Sequence, residues 1–210
     1  MAIKEQAGFT LIEIIIAMAI SSSLAVIALM GFSAMRSQVQ FSDAVERLRE
    51  RTVQTRTEAN SSVQLASGDQ PNLIAFGRIM TFTPGSGIVK IQTLRTSSTE
   101  SPTDLQAVNL TADNAFDYTI PWGLTYQGGK DAGGYTTKKR QVAFIRSPRD
   151  GSLHSIVSPP NGWTLHRGYY YYSDFMPSGV PAGASLRVGY GTRTATLDID
   201  PATNGIGRSF

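Results

Sequence analysis

The first apolar run of the chain extends from Phe9 to Phe32, 24 residues with a single charge at Glu13. As a helix rising about 1.5 Å per residue it reaches roughly 36 Å, a little more than a bilayer core of about 30 Å, so the pattern predicts a membrane-spanning helix. After Phe32 the chain turns polar and charged, yet Phe41, Val45, Leu48 and Thr52 recur at intervals of three and four, which predicts an amphipathic helix. Asp43 with Arg47, and Glu46 with Arg49, stand where opposite charges meet on a helical surface. No proline precedes Pro71, and Gly31 is the one glycine between Phe9 and Gly68. The two stretches therefore predict one helix of about 50 residues, ending at the turn-forming Asn60-Ser61-Ser62.

From Val63 onward the pattern becomes extended. VQLA, NLIAF, RIMTFT and GIVKIQTL are short runs rich in β-branched and aromatic residues between Gly, Pro, Asn and Asp, and they predict strands. FDYTI (116–120), QVAFIR (141–146), LHSIV (153–157), GYYYYS (168–173), SLRVGY (185–190) and ATLDI (195–199) predict more. Asp150-Gly151 suits a tight hairpin turn. Two stretches, 102–115 and 126–140, are rich in small and polar residues and predict irregular surface loops. The fold class expected is α+β: a long helix whose exposed half is covered by an antiparallel sheet that buries its apolar stripe.

Charge and composition narrow the chemistry. The 19 Lys and Arg against 16 Asp and Glu give +3, too small a bias alone to imply nucleic acid. It is unevenly spread: residues 1–129 hold 9 basic and 11 acidic side chains, residues 130–210 hold 10 and 5. The absence of cysteine excludes disulfides, thiolate metal sites and cysteine nucleophiles. Lys4, ahead of the apolar run, favours keeping the N-terminal side in the cytoplasm, with the remainder facing outward.

Glu13 is the anomaly. A carboxylate at that depth costs about 2.5–3.5 kcal/mol on insertion scales unless it is protonated or paired. One reading is an interfacial glutamate that snorkels towards the headgroups. The sequence Gly8-Phe9-Thr10-Leu11-Ile12-Glu13 offers another, because it resembles the class III signal of type IV pilins and pseudopilins. That resemblance implies cleavage by a prepilin peptidase after Gly8, N-methylation of the new terminal Phe9, and Glu13 as an assembly residue that pairs with the terminal ammonium of a neighbouring subunit. A general secretory peptide cut after Ser23-Leu24-Ala25 and an uncleaved anchor are the alternatives; the first sits poorly with Glu13 and the second leaves it unexplained. The resemblance departs at Met30, where many members of the family carry a proline. Here Gly31 and Ser21-Ser22-Ser23 are the local features, and serine hydroxyls bonding back to the preceding turn bend a helix only mildly.

The layout after the helix, with Arg56-Thr57-Glu58-Ala59 leading into strands and TATLDIDPATNGIGRSF at the end, is similar to the H-type minor pseudopilins of type II secretion and the minor pilins of competence pili. The organisation expected is a leader at 1–8, a transmembrane and filament-core helix at 9–32, its amphipathic continuation at 33–60, and a β-rich domain at 61–210. The resemblance implies a structural subunit of a pilus or pseudopilus, located first in the inner or cytoplasmic membrane and then in a filament. Its implied partners are other pilin subunits, the prepilin peptidase, the membrane and the assembly platform, with no cofactor; the alternative is a minor pilin that contacts DNA or exported cargo through its basic C-terminal half.

No catalytic constellation appears. His154 and His166 stand alone in strand contexts, and no nucleophile elbow, phosphate-binding glycine loop or His-Glu-x-x-His occurs. Lys138, Lys139 and Arg140, close to Tyr135, together with Arg146, Arg149, Arg167, Arg187, Arg193 and Arg208, suggest a phosphate-binding face for DNA; the plainer reading is an ordinary solvated surface. The run Tyr169 to Tyr172 alternates faces if it is a strand. Asp198, Asp200 and Asn204 offer closely spaced oxygens of the kind a calcium loop uses, although Asp-Pro and Asn-Gly are ordinary turn pairs.

Overall fold

The computed structural model describes residues 10–61, 74–96, 109–131, 134–146, 152–158, 162–163, 170–171, 184–200, 203 and 205–210. Helix α1 spans Leu11–Asn60. The chain divides into two compact units, Met1–Ser42 and Asp43–Phe210.

In the first unit the helix from Leu11 to Phe32 carries apolar side chains on all sides, with Glu13 its one charge, and Leu11, Ile15, Met18, Leu24, Ile27, Leu29 and Phe32 are all exposed. This segment is long and apolar enough to cross a membrane. Its serines behave as expected of hydroxyls in an apolar helix: Ser22 Oγ donates to the Met18 carbonyl at 2.7 Å and Ser23 Oγ to that of Ala19 at 2.8 Å. Each satisfies its polar group without leaving the helix. The helix continues through Gly31 without interruption.

In the second unit the helix becomes one-sided. Ala44, Val45, Leu48, Thr52, Thr55 and Ala59 are buried, the three-and-four spacing of an amphipathic face. The buried threonines bond back as well, Thr52 Oγ to the Leu48 carbonyl and Thr55 Oγ to that of Arg51, both at 2.8 Å. The two ion pairs expected from the sequence form: Arg47 with Asp43 and Arg49 with Glu46, each at 2.9 Å.

Eleven strands follow among the described residues: β1 Ile74–Phe82, β2 Ile88–Thr96, β3 Asn109–Thr119, β4 Thr125–Asp131, β5 Gly134–Thr136, β6 Arg140–Arg146, β7 Leu153–Val157, β8 Tyr170–Tyr171, β9 Ala184–Tyr190, β10 Arg193–Asp200 and β11 Gly205–Ser209. The architecture is α+β as expected, but the strands form two sheets rather than one, ordered β7-β6-β1-β2-β3-β8 and β11-β10-β9-β4-β5. Each described pairing is antiparallel. Both stretches expected to be irregular contain strand: β3 begins at Asn109, and β4 and β5 occupy most of 126–140. Composition misled there because strand preference is mostly a matter of neighbours. Gly128 and Gly129 pair with Arg187 and Leu186, and Asp113 and Ala112 with Thr93 and Leu94, so partner strands fix backbone that has little preference of its own. VQLA and Asp150-Gly151 lie outside the described residues.

The sheets meet through Phe82 and Tyr126, whose rings are 5.6 Å apart. Strand β6 is buried from Arg140 to Ile145, whereas β10 alternates, with Ala195, Leu197 and Ile199 inward. Both sheets hold the second-unit part of the helix. Arg78 of β1 reaches Glu58 at 3.4 Å, and Arg51 lies over Phe116 of β3 at 4.6 Å. From the second sheet, Arg208 pairs with Glu46 at 2.9 Å, and Arg49 Nε donates to the Ile206 carbonyl at 3.0 Å.

Candidate functional site

The sequence points to two places, one in each unit. At the start of the helix, Thr10 and Glu13 close a reciprocal pair. The Glu13 carboxylate accepts from the Thr10 backbone N–H and from its hydroxyl, both at 3.1 Å, while Thr10 Oγ accepts from the Glu13 N–H at 3.3 Å. This is a capping box, in which an N-cap Thr and a Glu three residues on satisfy two orphan helix donors. The spacing Thr-x-x-Glu ahead of an apolar run is the sequence signal for this box, and it gives the carboxylate a local partner besides any on another subunit. Glu13 has a partner within its own chain and also lies in the first turn, where the helix dipole favours negative charge. Gly8 and Phe9 lie outside the described residues.

From this box the helix runs on with its apolar side chains exposed as far as Phe32. Residues 3–29 match the family model of the prokaryotic N-terminal methylation motif. That motif is the class III signal of type IV pilins and pseudopilins, and it spans Gly8, Phe9 and Glu13. No curated protein and no solved structure matches the chain. The motif supports a pilin or pseudopilin role, with other pilin subunits and a prepilin peptidase as partners, and points to a structural subunit rather than an enzyme. The exposed apolar helix behind the class III signal fits membrane anchoring followed by assembly into a pilus.

The second place is the β4–β5 hairpin. Lys138 and Lys139 are exposed just beyond β5, but Arg140 is buried. Its Nη1 donates to the Ser158 carbonyl at 2.9 Å and its Nη2 to Thr136 Oγ at 3.4 Å. The three adjacent cations thus separate into two exposed lysines and one arginine that braces the hairpin from inside. The guanidinium that does reach the hairpin's outer side is Arg187, 4.5 Å from the centroid of Tyr135, a residue distant in sequence that register alone brings close. The remaining arginines of the basic half are dispersed. Arg146 donates to the Asn60 carbonyl and Arg208 is paired with Glu46, while Arg149 and Arg167 lie outside the described residues.

Tyr126 holds the hairpin's return strand by donating its hydroxyl to the Lys138 carbonyl at 3.0 Å. Burial pushes its phenol up to about 12, against the opposing pull of Arg140. The folded chain therefore keeps this proton when the unfolded chain has lost it. Stability is full below pH about 10 and declines as pH rises towards about 12. Tyr126→Phe should cost about 1 kcal/mol at neutral pH through the lost hydrogen bond, and should shrink the further loss between neutral pH and pH about 11. Urea unfolding of both proteins at the two pH values checks this.

Asp198 and Asp200 are occupied by hydroxyls. Ser185 and Ser209 donate to Asp198, and Thr203 to Asp200 at 2.6 Å. Asn204 lies outside the described residues, and among the described residues no group of three His, Asp or Glu is placed to hold a metal. His154 Nε2 lies 2.8 Å from Ser152 Oγ, a local contact on the edge strand β7. His166 is outside the described residues, as are Tyr169 and Tyr172, and of Tyr170 and Tyr171 only the backbone is described.

Proposed function

We propose that the chain is a minor structural subunit of a type IV pilus or a type II secretion pseudopilus. It is inserted with residues 9–32 in the membrane and its β-domain outside, cut after Gly8, and drawn into a filament in which neighbouring helices replace lipid around the same apolar surface. The observation that carries this reading is the methylation motif at residues 3–29, placed at the head of a helix whose apolar side chains are exposed. A carboxylate that leaves its own Thr10 for a neighbour's terminal ammonium exchanges hydrogen bonds for a desolvated ion pair, and so fixes the register between subunits. Contacts of this head-to-tail kind build open helical assemblies.

Mass spectrometry of the mature protein is expected to find Phe9, carrying a methyl group, at the N-terminus. A mature chain beginning at Met1 or at Val26 would remove the reading. A second activity, contact with DNA through the basic half, is favoured by the exposure of Lys138 and Lys139, three and four residues after Tyr135, and by the Tyr135–Arg187 stack.

A further inference from the structure

We propose that the outer side of the β4–β5 hairpin is a stacking platform for single-stranded nucleic acid, with Tyr135 taking a base and Lys130, Lys138, Lys139 and Arg187 taking phosphates. The proposal rests on the second reading above and specifies its site. Register puts Lys130, Tyr135 and Arg187 together: Lys130 is directly opposite Tyr135 on one side and Ser185 on the other, and Arg187 follows two residues after Ser185 on the same face, while Lys138 and Lys139 follow Tyr135 by three and four residues and are exposed. Tyr135 is 45% exposed although Arg187 lies against its ring. A base can therefore stack on a tyrosine whose orientation is already fixed by a cation. Among the described residues, none of the three exposed lysines has an ion-pair partner. Asp198, which register places on the same face, is turned to the Ser185 and Ser209 hydroxyls.

The platform is also held in shape, and an aromatic ring fixed in advance gives up less entropy on binding. Tyr126 donates to the Lys138 carbonyl, and Arg140, itself buried, donates to Thr136. Gly128, at φ +149°, lets the Thr136 carbonyl approach to where a Cβ would meet it at 2.5 Å. Arg140 is a positioning residue here, and Lys130 and Arg187 are contacts that no run of adjacent basic residues would reveal. The exposed ring favours a single strand over a duplex, because a duplex buries its base faces and offers the lysines only phosphates.

The test uses the full mature chain in detergent micelles and fluorescence anisotropy with three probes: a labelled oligothymidylate, a labelled duplex, and inorganic polyphosphate as competitor. Tyr135→Ala is expected to weaken oligothymidylate binding roughly ten-fold, leaving duplex binding unchanged, and Tyr135→Trp to retain it. Lys138→Gln with Lys139→Gln should reduce the salt slope by about 0.7 for each phosphate no longer neutralised. If Tyr135→Ala leaves the single strand bound as before, or polyphosphate displaces it as well as the strand displaces itself, the platform is refuted while the DNA reading stands. If no probe binds, both fall. Tyr135 is half exposed on an edge strand, so the folding of its variants is not at stake, and filament incorporation of the same variants reports on assembly separately.

Discussion

Glu13→Gln is expected to leave the chain membrane-inserted and processed after Gly8 while reducing its incorporation into filaments by more than a hundred-fold. The substitution separates two roles of one side chain, the cap with Thr10 that the structure shows and the intersubunit pair proposed above. Glutamine at the third helical position still closes a capping box with Thr10, so the helix start is kept, and removing the charge lowers the cost of insertion by up to about 2.5–3.5 kcal/mol. The loss falls on the pair formed between subunits, where deleting one partner of a desolvated ion pair costs about 3–5 kcal/mol. Glu13→Ala removes the cap too, which adds only about 0.5–2 kcal/mol of local helix stability. If glutamine assembles like the native residue and alanine does not, the cap rather than the charge carries the function. The measurement is the fraction of subunit recovered in sheared filaments, with the N-terminal mass confirming that processing occurred.

Gly77→Ala is expected to destabilise the second unit strongly. Gly77 lies in β1, between β6 and β2, and is paired with Ile145 and Leu94. A methyl group there would stand 2.0 Å from the Phe144 carbonyl oxygen and 3.0 Å from the Ile145 Cα. Both obstacles are backbone inside a six-stranded sheet, so relief requires β1 and β6 to separate, and β6 is buried along almost its whole length. The cost should reach the top of the range of about 1–3 kcal/mol for overpacking, a fall in Tm of roughly 6–12 °C for a unit of this size. Gly31→Ala, with nothing within 4 Å of its new methyl, is the control: thermal unfolding should be unchanged or slightly raised, since alanine is the better helix former by about 1 kcal/mol.

How far each feature was legible in the sequence follows from the range of the interactions that make it. Helix α1 could be read from spacing alone, through Val45, Leu48 and Thr52 and the pairs Asp43–Arg47 and Glu46–Arg49, because its hydrogen bonds and neighbours lie within four residues. Strands β6, β7, β9 and β10 were visible in their β-branched and aromatic runs. The division into two sheets was not, because it depends on which strands pair, and β1 joins β6 across roughly sixty residues while β4 joins β9 across a similar gap. For the same reason β4 and β5 were hidden: Gly128 and Gly129 look like loop residues until a partner strand is supplied. The class III signal was legible because it is local. Arg187 beside Tyr135 was not, and the apparent unity of Lys138, Lys139 and Arg140 dissolved once Arg140 turned inward to Ser158.

One bond has a bearing on how the molecule comes into being. Arg49 and the Ile206 carbonyl are 157 residues apart in sequence, and the strand that brings them together is synthesised long after the helix it covers. Until then Leu48 and its neighbours lack part of their cover, and a ring closure that long delays the rewards that would offset its entropy. A nascent subunit therefore passes through a period with a greasy flank bare, and holdase chaperones have that interval in which to engage it.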